Sequence, residues 1–114
     1  MDRNALLGAV PVGQEWDRLD PRQRKDAVER LLESILDELA NEQREPDRWE
    51  ATDMGAALNA IQMGWYNAAI SYAMYALVPP EERAGEWQRE ETTPTSTELR
   101  NAVEYIKGMP ARGI

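Results

Sequence analysis

The chain has 114 residues, with 21 acidic against 13 basic side chains, a net charge of −8, and neither cysteine nor histidine. That length suits one domain able to bury a core without cross-links. The two missing residue types remove disulfide, thiolate–zinc and nucleophilic-thiol chemistry, along with the commonest general base and transition-metal ligand, and the negative surface disfavours nucleic acid and anionic membranes.

Residues 1–19 begin MDRNALLGAVPVG, an apolar patch interrupted by Gly8 and Pro11. The patch is too short for a signal peptide and is expected to form an N-terminal arm, with Leu6, Leu7, Val10 and Val12 available to cover a core. From Asp20 the segment DPRQRKDAVERLLESILDELANEQRE reads as an amphipathic helix. Asp20 and Gln23 form a capping box, Pro21 suits the first helical position, and Val28, Leu31, Leu32, Ile35, Leu36 and Leu39 make an apolar stripe. Pro46 ends it. The basic run Arg22, Arg24, Lys25 is followed at once by Asp26 and Glu29, so it reads as helix, not as a DNA footprint.

Residues 54–80 then contain no charged side chain, although charged residues make up 30% of the chain. The region 52–78 is predicted to be helical and apolar nearly all round, the pattern of a central element with neighbours on every side. Asn59, Gln62, Asn67 and Ser71, and the lack of flanking Lys or Arg, argue against a membrane span; a cytoplasmic protein is expected. Trp65 is expected in the core. Ala56, Ala60, Gly64 and Ala68 recur at every fourth position and would form one ridge of close approach, a candidate seam for self-association. Gly64, about 1 kcal/mol less favourable than alanine inside a helix, marks either a packing point or a break.

GWYNAAISYAMYALVPP, residues 64–80, with Gly64, Tyr66, Ala69, Ile70, Ala76 and Leu77 at set spacing and Ala57 upstream, resembles the second half of a tetratricopeptide repeat. The resemblance, over residues 53–80, implies a helical hairpin turning near Gly64. The departures are an upstream helix without the usual tryptophan, leucine and tyrosine, Ala73 in place of an aromatic, and an early proline. No second copy of the unit follows, and one such repeat does not bury its face alone. One long buried helix is the competing reading.

Residues 79–94 read as a polar loop, and 109–114 as a loose tail. Between them Thr95 and Glu98 form a second capping box, Leu99, Ala102, Val103 and Ile106 a stripe, and Gly108 a stop. The expected fold is all-α: one domain, 1–114, a small bundle of three to five helices around a central uncharged helix or hairpin.

Three sets of residues are candidates for function. Asp26, Glu29, Glu33 and Asp37 form an acidic face. Carboxylates at this spacing can hold magnesium when a second cluster faces them, but the neighbouring helices offer only Asp53, Glu98 and Glu104, so no metal site is assigned. The same acids, about 6 Å apart, would alternatively imitate a nucleic-acid backbone, as small inhibitors from phages and mobile elements do. Trp16, Trp49 and Trp87 lie in charged connecting segments beside arginines such as Arg48 and Arg89, the composition of an interface hot spot; the structural alternative is that their rings close the ends of the core. No hydroxyl nucleophile, phosphate loop or dinucleotide fingerprint is present. The chain therefore reads as a binding protein, an adaptor, regulator or inhibitor with a protein partner, no catalytic residues and no cofactor. A homo-oligomer built on the small-residue ridge is the alternative.

Overall fold

A computed structural model describes residues 1–112. The helices are α1 (Arg3–Gly8), α2 (Gln14–Asp17), α3 (Pro21–Asn41), α4 (Arg48–Gln62), α5 (Tyr66–Tyr75) and α6 (Ser96–Lys107), with one 3₁₀ turn at Pro80–Glu82. No strand occurs among the described residues, and none of these helices is long and apolar enough to cross a membrane. The fold is an all-α bundle.

Local signals set most of the helix ends. Asp20–Gln23 and Thr95–Glu98 are reciprocal capping boxes at the starts of α3 and α6. A third, Asp47–Glu50, starts α4 four residues earlier than the 52–78 reading placed it. Each such cap contributes about 1 kcal/mol. Two helices close with the same device. At the end of α4, Gly64 N–H donates to Ile61 O (3.0 Å) and Trp65 N–H to Ala60 O (2.9 Å), with Gly64 at φ 77°. At the end of α3, Gln43 N–H donates to Ala40 O (3.0 Å) and Arg44 N–H to Leu39 O (3.1 Å), with Gln43 at φ 55°. Both are Schellman closures, which need a left-handed residue just past the helix.

Gly64 therefore breaks the uncharged region, and α4 and α5 form a hairpin. The candidate ridge Ala56–Ala60–Gly64–Ala68 does not exist as one helical row: Ala56 and Ala60 lie on α4, Ala68 on α5, and the chain reverses between them. A Cβ on Gly64 would sit 2.9 Å from Arg112 Cδ, so this position is already filled by the chain's own C-terminal segment.

The α3 stripe is fully buried, with Leu32, Ile35, Leu36 and Leu39 at its centre. α3 packs against α1, α4, α5 and α6, whereas α5 packs only on α3 and α4 among the larger contacts. Ala57, Ala60, Ala69 and Ala73 are buried where α4 and α5 meet, small residues that let the backbones approach. The radius of gyration, 13.6 Å, is that of one packed domain, about 13 Å at this length.

The arm 1–19 contains α1 and α2, and Val10 and Trp16 from it join the core, with Leu6 and Leu7 partly buried. Val12 does not; it is exposed, because it follows Pro11 in the turn between the two helices. The polar segment 79–94 has little regular structure, yet it is tied down by Arg83, Trp87 and Arg89, as described below. Of the tail 109–114, residues 113–114 lie outside the described residues; Met109 and Ala111 pack against the core, and Arg112 N–H donates to Tyr66 OH (2.9 Å).

Candidate functional site

Part of the acidic face of α3, at Glu33 and Asp37, forms the seam to α6. Lys25 donates both to Glu29 Oε2 (2.6 Å) and to the Ile106 carbonyl (2.8 Å), and Lys25 and Glu29 are buried. Asp26 pairs with Arg30 (2.8 Å), Glu33 with Lys107 (3.1 Å) and Asp37 with Arg100 (2.8 Å). Each of the four acids thus has its own cation. Among the described residues no three His, Cys, Asp or Glu side chains come together as a metal set.

The tryptophans fall into a different order from the one expected. Trp16 is only 8% exposed. Its Nε1 donates to Asn67 Oδ1 (2.7 Å), and Arg24 lies over its ring at 5.5 Å, so it pins α2 to the start of α5. Trp65, expected in the core, is instead 58% exposed, because it follows the left-handed Gly64 and projects from the hairpin turn. Trp49 and Trp87 are half-buried against each other, edge to face at 4.7 Å and 84°.

Trp49 and Trp87 belong to a clamp that fixes the 79–94 segment on the start of α4. Arg83, absent from the sequence reading, is buried there. Its Nη1 donates to Asp47 Oδ2 and its Nε to Val78 O (2.9 Å), its Nη2 lies 3.9 Å from Glu50, and its guanidinium stands 5.4 Å from the Trp49 ring. Glu50 is 0% exposed and accepts two hydrogen bonds from Arg44 (2.7 and 2.8 Å) and one from the Asp47 N–H (2.9 Å). Burial pushes the Glu50 carboxyl up, but these hydrogen bonds and the charges of Arg44 and Arg83 outweigh it and hold it below the ordinary range. Arg48 pairs with Glu90 (2.7 Å) and covers the Trp87 ring at 4.9 Å. Arg89 donates to the carbonyls of Pro46 (2.7 Å), Thr93 (3.0 Å) and Pro94 (3.1 Å). Ser96 N–H donates to Glu45 (2.6 Å), which ties the first turn of α6 to the same corner and lowers the Glu45 carboxyl. Arg48 and Arg89 are spent on these bonds. The signal for this corner was present as D-x-x-E after Pro46 and as an arginine after the VPP run.

What remains open is the outer face of α5. Tyr66, Ala69, Ile70 and Ala73 point inward and are buried. Trp65, Ala68, Tyr72 and Tyr75 follow at intervals of three and four residues, so they share one stripe; Tyr72 is 40% and Tyr75 57% exposed, and Ala68 is half-buried. No charged residue lies on α5. Tyrosine and tryptophan tolerate water at one edge while burying large apolar area on contact, which is why they gather at interfaces. A wide recess of about 850 Å³ lies elsewhere, between α1 and α3, with Leu6, Val10, Leu19 and Leu31 in its lining. Its charged lining residues are Asp20, Arg22, Asp26 and Arg30, of which Asp26 and Arg30 pair with each other and Asp20 caps α3.

No family model matches this sequence, and neither a curated protein nor a solved structure matches it.

Proposed function

We propose that this chain is a small binding protein that docks another protein through the outer face of α5 and acts by that contact, as adaptor, regulator or inhibitor, without catalysis. The observation that carries the reading is the exposed stripe Trp65–Ala68–Tyr72–Tyr75 on a helix without a single charge. Three large aromatics held out in water, Trp65 at the N-cap and Tyr72 and Tyr75 on the helix, are of the residue types that anchor protein interfaces. The likeness of residues 53–80 to one tetratricopeptide-type hairpin belongs to this reading, supported by the reversal at Gly64 and the burial of Ala57, Tyr66, Ala69, Ile70, Ala76 and Leu77. Self-association is the second reading. It is favoured by the same feature, since two uncharged α5 faces meet without opposing charges even though each copy carries −8.

The test compares the wild-type chain with a Trp65→Ser/Tyr72→Ser/Tyr75→Ser variant, each checked by circular dichroism and then used to capture proteins from native lysate, with light scattering on the eluate. The expected result is one protein held at fixed stoichiometry by the wild type and released by an equally folded variant. Retention by the variant contradicts the proposal. A doubled mass containing only this chain, lost in the variant, moves the assignment to self-association.

A further inference from the structure

Trp49, Thr52 and Asp53 sit three and four residues apart on the first turns of α4 and so share a face. Tyr75, at the end of α5, and Trp87, from the 79–94 segment, close over it and leave a pocket of about 310 Å³ lined by these five residues. Its walls are fixed. Trp49 Nε1 donates to Tyr75 O (2.9 Å), Trp87 Nε1 donates to Ala84 O, and Arg48 N–H donates to Trp87 O (3.2 Å). The two indoles stand nearly perpendicular, at 84°.

Of the charged residues at the start of α4 and those that meet them, all but Asp53 are paired. Glu50 is met by Arg44 and Arg83, Asp47 by Arg83, and Glu90 by Arg48. Asp53 is partly buried, and no hydrogen bond acts on it; burial pushes its carboxyl up and the more distant charge of Arg83 pulls the other way.

We propose that this pocket binds an alkylated ammonium group, with Trp49, Tyr75 and Trp87 as aromatic walls and Asp53 as counter-charge. Aromatic rings attract cations over their faces, and both indoles already hold one in this way, Arg83 at 5.4 Å and Arg48 at 4.9 Å. A primary ammonium is strongly hydrated and would have one carboxylate to replace its water here. A methylated ammonium surrenders its water more readily and offers methyl groups to the rings. The net charge of −8 raises the local concentration of any cation. This inference shares Tyr75 with the α5 face but does not depend on docking there.

The experiment follows the indole N–H signals of the intact protein by NMR during titration with three probes: choline, a short peptide carrying Nε-trimethyllysine, and the neutral neohexyl alcohol that matches choline in shape. Saturable shifts at Trp49 and Trp87 are expected with both cations and not with the alcohol. Asp53→Asn should weaken binding about tenfold through loss of the counter-charge, and Tyr75→Ala should weaken it as well. The Trp16 signal, held by Asn67, reports that each variant is folded. Tighter binding of the peptide assigns the group to a methylated lysine of a protein; equal binding assigns it to a free quaternary amine. An equal response to the neutral alcohol, no saturable shift with either cation, or unchanged binding by a folded Asp53→Asn protein would overturn the proposal.

Discussion

Glu50 keeps its charge with no exposed surface because Arg44 grips it with both terminal guanidinium nitrogens, while Arg83 approaches from the 79–94 segment and the Asp47 N–H from the N-cap of the same helix. Removing one member of such a buried group leaves the others uncompensated, so Glu50→Ala is expected to cost about 3–5 kcal/mol, measured by urea unfolding. The folded carboxyl lies below its ordinary value, so the stability it adds is present above about pH 4.3, the unfolded value, and is lost as pH falls through the folded one. Glu50→Gln should therefore flatten the acid limb of the stability curve. Asp53 works in the opposite sense. Its carboxyl is raised by burial, so the folded state prefers it protonated, and stability declines as pH rises through that range. Asp53→Asn should raise the melting temperature slightly at neutral pH; a fall would contradict the account of a carboxylate kept at some cost to stability. Gln43 holds a left-handed conformation that disfavours side chains. Gln43→Gly should stabilise by roughly 0.5–1 kcal/mol, read as a shift in denaturation midpoint.

Among the elements, the α4–α5 hairpin depends on its turn. Gly64 combines a positive φ with Arg112 packed on it, so Gly64→Ala is expected to destabilise by more than about 1 kcal/mol and to do so through folding, not through any partner. The hairpin also shows what the sequence could and could not tell. The stripes of α3 and α6 and their caps were legible because alternation of charged and apolar residues states which side faces inward. The uncharged region has no such alternation. Its helical character was readable, and so was the choice at Gly64, but not which side of α5 would be left uncovered. Tryptophan context misled for a related reason. In QEWDR the charges of the turn face water while the ring of Trp16 goes inward, whereas Trp65, in uncharged surroundings, caps a turn and goes outward. The Asp47–Glu50 box has a local signal, D-x-x-E after Pro46, whereas the burial of Arg83 is decided by long-range contacts that local spacing does not encode.

For the molecule as a whole, a surface with a net charge of −8 goes with one helix that carries no charge. α3 carries the core, α6 is stitched to it by the Lys25 bond to the Ile106 carbonyl and by the Glu33–Lys107 and Asp37–Arg100 pairs, and the 79–94 segment is clamped to the start of α4. Trp65, Tyr72 and Tyr75 keep 58%, 40% and 57% of their surface exposed. Serine at any one of them should cost no more than about 1–2 kcal/mol, checked by thermal melting; a loss of about 3–5 kcal/mol, that of a buried ring, would mean that these rings support the fold.

The central claim, that the α5 face is a docking surface, is tested most directly by a photo-crosslinking residue placed at Tyr72 and, in a separate protein, at the exposed Glu98 on α6. Irradiation in cells of the source is expected to give one discrete adduct from position 72 and none from position 98, its mass separating a foreign partner from a second copy. Adducts of equal yield at both positions, or none at position 72, would contradict it.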